Sequence, residues 1–276
     1  MSNLYIVGTP IGNLDDLTFR ALTTLKNVEF IFSEDKRVSR KLLSKYKINS
    51  QLVSIYKPNK KLNINYFIGL LNTNDLAFIT DAGSPGISDP AGEFVRVARE
   101  NNHKIITIPG VSALTSAFSV SGIESKGFSF LGFLPKSNKQ KIDLIDPFMK
   151  VDLPIVIYES PKRIKATLEF IKDQYKINKI FIAKELTKLY ETLFFGEVDE
   201  AIESFANEKG EFVIIFMNEN SEISKSLLEK YDKILIDGYE KGIKGKNLLS
   251  LISDLSGIRK GFFYDRWLKI KNKYEK

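Results

Sequence analysis

Short apolar runs alternate with helical spacing through the first half of the chain. Leu4 to Val7 predicts a buried strand, closed by the turn Gly8-Thr9-Pro10-Ile11-Gly12-Asn13. Leu14, Leu17, Ala21, Leu22 and Leu25 then recur at helical spacing. Val28 to Phe32 predicts a second strand and Val38 to Tyr46 a short helix. Leu52 to Ile55, Leu76 to Ile79 and Ile105 to Ile108 complete the expected sheet. Strands regularly separated by helices predict a mainly parallel α/β sheet, because parallel neighbours need crossover connections.

From about Phe128 the pattern changes. Phe128 to Phe133, Ile155 to Tyr158, Ile180 to Ala183, Thr192 to Phe195 and Phe212 to Phe216 are strand-like. The runs at 180–183 and 192–195 leave no room for a full helix between them, so they predict an antiparallel hairpin and a mixed sheet. After Asn220 the pattern is helical. Leu248, Leu249, Ile252 and Leu255 form one apolar face, Ser256-Gly257-Ile258 a turn, and Phe262, Phe263, Trp267 and Ile270 a second face. This pair reads either as a helix-turn-helix unit or as a helical hairpin that docks on the body or on a partner. The expected segments are 1–118, an α/β domain with a parallel sheet; 119–220, an α/β domain with a mixed sheet; and 221–276, a small helical C-terminal segment.

Composition narrows the chemistry. The 276 residues are 43% hydrophobic and 27% charged, as in an ordinary globular protein. No apolar run approaches the roughly 20 residues needed to cross a bilayer. Met1 to Thr9 does not read as a secretory signal, so a cytoplasmic location without membrane attachment is expected. The absence of cysteine excludes disulfides, thiolate metal sites and a cysteine nucleophile. His103 is the single histidine and lies in a polar stretch before Ile105, which reads as a surface turn. No metal is expected. Chemistry must use carboxylates, lysines, hydroxyls or a cofactor. The net charge of +7 is concentrated in residues 241–276, where ten Lys or Arg face three Asp or Glu. A basic tail is compatible with a phosphate-bearing partner.

The most informative segment is Thr80-Asp81-Ala82-Gly83-Ser84-Pro85-Gly86-Ile87-Ser88-Asp89-Pro90. It follows a strand and precedes a helical pattern, with Asp89 suited to an N-cap and Pro90 to the first helical position. The loop therefore falls at the carboxyl edge of a parallel sheet, where open α/β folds bind ligands. It lacks the Gly-Lys-Ser/Thr of a phosphate loop, and the first turn lacks Gly-x-Gly-x-x-Gly. Asp81, Asp89 and small polar groups suit an uncharged nucleoside with a cationic centre better than a polyphosphate. Pro109-Gly110-Val111-Ser112-Ala113, Tyr158-Glu159-Ser160-Pro161-Lys162-Arg163 and Lys184-Glu185-Leu186-Thr187-Lys188 end other expected strands in a similar manner.

These motifs, with Ser33-Glu34-Asp35-Lys36-Arg37 and Gly132-Phe133-Leu134-Pro135, occur in an order and spacing that resemble the tetrapyrrole (corrin/porphyrin) methylase family over roughly residues 4–217. The likeness is to its branch that acts on ribosomal RNA. The resemblance implies a two-domain tetrapyrrole-methylase-like α/β fold with S-adenosylmethionine between the domains, and a homodimer. It implies 2′-O-methylation of a cytidine in the decoding region of 16S rRNA, with the RNA or the small ribosomal subunit as partner. The expected cofactor contacts are Ile11, Asp81, Ala82, Gly83, Ser84, Ile87, Ser112, Ala113, Glu159 and Leu186. A ribose hydroxyl is a poor nucleophile, so a base or nearby cation should help remove its proton. The candidates are Glu34, Asp35, Lys184 and Glu185, with Arg37, Arg163, Arg259 and Lys260 as RNA contacts. Lys36 stands where the family commonly has Thr, and Lys184 where it often has Arg. A methylase of a porphyrinoid or other small molecule, and a noncatalytic RNA-binding protein on the same fold, are the alternatives.

Overall fold

A computed structural model describes residues 2–56, 61–151, 153–206, 208–217, 225–256 and 260–274. The chain divides into two compact units, Met1–Met217 and Asn218–Lys276.

The first unit contains two sheets. Strands β1 (Asn3–Val7), β2 (Phe30–Ser33), β3 (Gln51–Ser54), β4 (Leu76–Phe78) and β5 (Lys104–Ile108) form a sheet of order β3-β2-β4-β1-β5. All its pairings are parallel, with Leu4 opposite both Leu76 and Ile105. Alternation splits the side chains between two cores. Phe30, Phe32, Leu76 and Phe78 pack on one face with Phe67 and Phe94. Ile31, Ala77 and Ile79 pack on the other with Ala21 and Leu25. Burial on both faces explains why these strands read as continuous apolar runs. Phe32 and Phe94 each meet Phe67 edge to face, at 5.1 and 5.0 Å between ring centres. Helices α1 (Phe19–Asn27), α2 (Lys36–Lys45), α3 (Ile64–Leu71) and α4 (Ala91–Glu100) supply the crossovers, and α5 (Ala113–Val120) follows β5.

Several element boundaries shift by a residue or two from expectation, and the starts of α1 and α4 show why. The helix expected from Leu14 begins at Phe19, because the Thr18 hydroxyl caps the Ala21 amide at 3.1 Å. Leu14–Asp16 forms a separate 3-10 turn. Pro90, expected as the first helical residue, takes the N-cap position of α4 instead of Asp89; the Asp89 carboxylate, one residue earlier, still accepts the Ala91 amide at 2.8 Å. His103 lies between α4 and β5 with Nε2 3.0 Å from the Asn72 side-chain oxygen.

The second sheet has the order β6-β7-β10-β8-β9, from β6 (Ser129–Phe133), β7 (Ile155–Glu159), β8 (Lys179–Lys184), β9 (Thr192–Glu197) and β10 (Phe212–Phe216). β6 runs parallel to β7, and every other pairing is antiparallel. The expected hairpin is β8–β9, with Lys184 opposite Thr192. One face packs Ile157, Ile182 and Ile214 against α6 (Asn138–Met149), α7 (Ile164–Tyr175) and α8 (Val198–Phe205). The other face puts Val156, Phe181, Ala183 and Val213 against Ile11, Leu114 and Ala117 of the first half. The two halves of this unit therefore share a core.

The second unit is a three-helix arrangement of α9 (Lys225–Glu240), α10 (Gly245–Ser256) and α11 (Lys260–Tyr274). Leu235, Leu248, Leu249, Ile252, Phe263 and Trp267 are buried together. A side chain at Gly245 would lie 2.8 Å from the Trp267 indole nitrogen, so glycine allows α10 to approach α11 closely. Arg266 makes a two-pronged ion pair with Asp232, its Nε 2.7 Å from Oδ1. The sequence pattern predicts two helices here; α9 is the third. Arg259 and the Phe262 side chain lie outside the described residues.

Candidate active site

The turns leaving β1, β4 and β5 are joined backbone to backbone. The Gly8 amide donates to the Ile108 carbonyl at 2.9 Å. A Cβ at Gly8 would fall 2.7 Å from the Gly110 Cα, so neither turn tolerates a side chain there. Thr9 and Gly83 exchange both backbone hydrogen bonds, at 2.9 and 3.1 Å. The Thr9 hydroxyl adds donation toward the carbonyls of Thr80 and Gly83, each at 3.3 Å. Gly83 adopts φ of +79°, a conformation costly for other residues. The Gly86 amide is held by the second Asp89 oxygen at 2.8 Å. The Ser84 hydroxyl donates to Val111 carbonyl at 3.2 Å.

The second sheet closes the opposite side. Tyr158, Glu159 and Ser160 leave β7, while Leu186 and Lys188 follow β8. At the seam, the Asn13 amide donates to the Thr187 hydroxyl at 3.0 Å. A Cβ at Gly12 would lie 2.5 Å from Lys188 Cγ and 3.0 Å from the Leu186 carbonyl. The space between is a cavity of about 390 Å³. That is within the range of small-molecule sites. All ten expected cofactor contacts line it: Ile11, Asp81, Ala82, Gly83, Ser84, Ile87, Ser112, Ala113, Glu159 and Leu186.

Charge in the cleft is mostly negative. Burial raises the Glu34 carboxyl above its ordinary range, with further contributions from Asp81, Asp89 and Asp35. Burial also raises Asp81, although its hydrogen bond from the Asp35 amide, at 3.0 Å, opposes this. The Tyr158 phenol is raised by burial while hydrogen bonds with the Leu114 amide and Ser112 oppose the shift. Its ring packs 4.8 Å from Phe130 and 5.6 Å from Phe133.

Of the four expected catalytic groups, Glu34 lines the cavity and the other three do not. Asp35 caps α2 and binds Arg37, whose hydrogen bonds pull its carboxyl down to about 2. Lys184 is paired with Glu208. Glu185 accepts from Lys188 at 2.8 Å and from the Glu211 amide at 2.9 Å. Burial alone would raise Glu185, but these bonds and the Lys188 and Lys184 charges hold it low.

The expected RNA contacts are scattered. The Arg37 side chain is 88% exposed. Arg163 instead points into the cleft wall, donating to the Leu134 carbonyl at 2.6 Å and lying 3.3 Å from the fully buried Glu159 carboxylate. Glu159 also accepts from the Ser160 amide and the Thr167 hydroxyl, each at 2.7 Å, so its oxygens are engaged within the wall. Lys260 donates to Ser250 at 2.7 Å in the second unit. Tyr158, Lys188, Glu211 and Phe133 line the cleft without having been singled out in the sequence. Tyr158, Lys188 and Phe133 sit inside the motifs that carry the resemblance. Glu211 had no local signal, since antiparallel pairing of β10 with β8 brings it there.

The cleft fits S-adenosylmethionine. Its walls offer apolar surface from Ile11, Leu186 and Val213, a left-handed glycine whose added Cβ would meet Ile11 at 3.3 Å, and carboxylates suited to a sulfonium and an ammonium. Among the described residues no group of three or more His, Cys, Asp or Glu could hold a metal ion. No helix among them is long and apolar enough to cross a membrane.

Comparison with known proteins agrees with this geometry. The family model for tetrapyrrole (corrin/porphyrin) methylases matches residues 3–202. A protein of Neisseria meningitidis serogroup B named ribosomal RNA small subunit methyltransferase I is 34% identical over 98% of this chain and 94% of its own. Proteins of the same name from Mycoplasmopsis pulmonis and Thermotoga maritima are 43% and 42% identical, each over 78% of this chain and 98% of their own. Among solved structures, a diphthine synthase superposes with a TM-score of 0.65 at 13% identity, over 78% of this chain and 90% of that one. The cobalt precorrin-4 methyltransferase CbiF gives 0.57 at 16% identity, over 77% and 94%. The chain therefore belongs to the tetrapyrrole (corrin/porphyrin) methylase family and is a methyltransferase that uses S-adenosylmethionine.

Proposed function

We propose that the protein methylates the ribose 2′-oxygen of a cytidine in the decoding region of 16S rRNA. One observation carries the substrate class: relatives of 34–43% identity bear the name of a small-subunit rRNA methyltransferase, and one of them is matched over 98% of this chain. The ribose, the cytidine and the decoding region follow from the resemblance of the motifs. The substrate is the RNA or the small ribosomal subunit, and the protein works in the cytoplasm.

When bound, S-adenosylmethionine supplies an electrophilic methyl group on a sulfonium. The chain's task is to align the acceptor oxygen with that methyl and to accept a proton. The ten cavity residues named above hold the donor, Ala82–Ser84 and Ser112–Ala113 from the first half and Glu159 and Leu186 from the second. Glu34 is the base. It lines the cleft, and its raised affinity for a proton brings it nearer to a useful range for deprotonating a hydroxyl. Asp35, Lys184 and Glu185 shape the site through the ion pairs described. Arg37 and, in the second unit, Arg259 and Lys260 contact RNA phosphates; Arg163 fixes the wall between Glu159 and Leu134.

The active form is a homodimer. Its support is the edge strand β9 and the turn before it, which expose Leu189, Tyr190, Leu193 and Phe195. An uncovered apolar edge is a natural pairing surface.

Small subunits from cells lacking this protein, incubated with it and labelled S-adenosylmethionine, test the proposal. One 2′-O-methylated cytidine in the decoding region is expected on mapping. Label absent from the RNA, or placed on a base, contradicts it.

A further inference from the structure

The cleft has five carboxylate side chains, Glu34, Asp81, Asp89, Glu159 and Glu211, and one cation, Lys188, among its lining residues. Both ligands the site must hold carry negative oxygens, whatever positive charge the donor also has. The donor has a methionyl carboxylate, and an RNA acceptor has a phosphate on each side of its ribose. A wall of carboxylates repels both unless a cation receives them.

Lys188 is built into place. Its stem lies against Gly12, where even a Cβ would approach Cγ to 2.5 Å. Its backbone amide donates to the Glu185 carbonyl at 3.0 Å, which fixes the turn. Its ammonium donates to Glu185 Oε1 at 2.8 Å and Glu211 Oε2 at 2.9 Å. An ammonium has three N–H donors. Two are taken by these carboxylates, and the residue lines the cavity with its side chain 30% exposed.

The flanking carboxylates have a second effect. Burial would lower the Lys188 pKa, but hydrogen bonds to Glu185 and Glu211 and their charges carry it above the ordinary lysine value. The group stays cationic throughout the neutral range. It does not act as a base, and its remaining donor is a permanent charge.

We propose that Lys188 is the anion-receiving residue of the cleft, donating its third N–H to a negatively charged oxygen of a bound ligand. Two ligands supply such an oxygen: the methionyl carboxylate of the donor, and a phosphate beside the target ribose. The phosphate source rests on the rRNA reading above, whereas the carboxylate source requires only the family's cofactor.

Equilibrium binding separates the sources and needs no turnover. The probes are S-adenosylhomocysteine, 5′-methylthioadenosine (which lacks the amino-acid carboxylate) and a decoding-region rRNA fragment. If the carboxylate is held, Lys188→Met weakens S-adenosylhomocysteine by at least about tenfold and leaves methylthioadenosine unchanged. If a phosphate is held, the same variant weakens the RNA by a similar factor and reduces the slope of log affinity against log salt by about 0.7. Lys188→Arg retains more affinity than Lys188→Met in either case.

Glu211→Gln guards against a purely structural effect. This exposed residue competes for the ammonium, so its neutralisation should leave anion binding equal or tighter. Weaker binding in Glu211→Gln would mark Lys188 as a structural bridge and overturn the proposal. Unchanged affinity of Lys188→Met for all three probes would do the same. A parent protein that binds S-adenosylhomocysteine but not the RNA would sink the rRNA reading, and the nucleoside pair would still decide the role of Lys188.

Discussion

The backbone amide of Asn13 donates a hydrogen bond to the side-chain hydroxyl of Thr187, at 3.0 Å, across 174 positions of sequence. This contact pins the turn after the first strand to the turn after β8. The cofactor cleft lies beside that seam, so its shape depends on how closely the two turns approach.

Gly12 sets that approach. Gly12→Ala should force Lys188, Thr187 and the Leu186 carbonyl outward, since the new Cβ would meet them at 2.5, 2.8 and 3.0 Å. A loss of about 1–3 kcal/mol in unfolding free energy is expected from such overpacking. S-adenosylhomocysteine affinity should fall with it. Denaturant titration and calorimetric binding check the pair.

Glu34 links activity to pH. Its carboxyl holds a proton more tightly than usual because of burial and then of Asp81, Asp89 and Asp35. The single-turnover rate should therefore rise with pH through a midpoint above the ordinary carboxylate range. Glu34→Gln should remove that acid limb and lower the rate by roughly 10²–10⁴-fold. A rate and pH profile unchanged in Glu34→Gln would exclude it as the base.

The same shift has a stability consequence of definite sign. A carboxyl whose pKa is raised by folding favours the folded state at pH below its unfolded value, and that benefit is lost as pH rises through the raised value. Glu34 and Asp81 thus destabilise the fold at neutral pH. Glu34→Gln should melt at a higher temperature than the parent near pH 7, with the difference shrinking in acid. Melting curves at both pH values provide the comparison.

Arg163 separates wall from ligand contacts. Removing it in Arg163→Ala leaves the Glu159 carboxylate buried without its cation and the Leu134 carbonyl without its donor. The expected cost is roughly 3 kcal/mol, the low end for breaking a buried pair because the guanidinium is 28% exposed. The salt dependence of RNA binding should not change. A reduced salt slope with full stability would return Arg163 to the RNA-binding surface.

Deletion of residues 223–276 tests the basic C-terminal unit. The Mycoplasmopsis relative is matched almost completely by an alignment of 220 residues, close to the length of the first unit. The truncated protein should keep its S-adenosylhomocysteine affinity, bind RNA more weakly and show a shallower salt slope. An unchanged slope in filter-binding measurements would remove this unit from RNA recognition.

Much of the fold could be read from the pattern. The β4 and β10 strands are buried on both faces and apolar throughout, so each reads as an unbroken run, and the short spacing of β8 and β9 allows only a hairpin. The start of α1 was misplaced because Leu14 and Leu17 fit the helical period while the Thr18 cap decides the boundary. Helix α9 has its apolar positions Tyr231, Leu235 and Tyr239 four apart, but acidic and basic neighbours weaken the signal. At the site, recognisable motifs carried the strand-end turns to the cleft. Within Lys184-Glu185-Leu186-Thr187-Lys188, Leu186 lines the cleft as expected, but the charged residue that lines it is Lys188 rather than Lys184 or Glu185. Positive φ at Glu185 and Thr187 redirects that turn, and Glu211 enters only through sheet pairing.

A crystal structure of the protein with S-adenosylhomocysteine tests the cleft most directly. The nucleoside is expected between the two sheets, touching the Ala82–Ser84 turn on one side and Leu186 on the other. Ligand bound elsewhere, or a cleft that closes without admitting it, would rule out this cleft as the cofactor site.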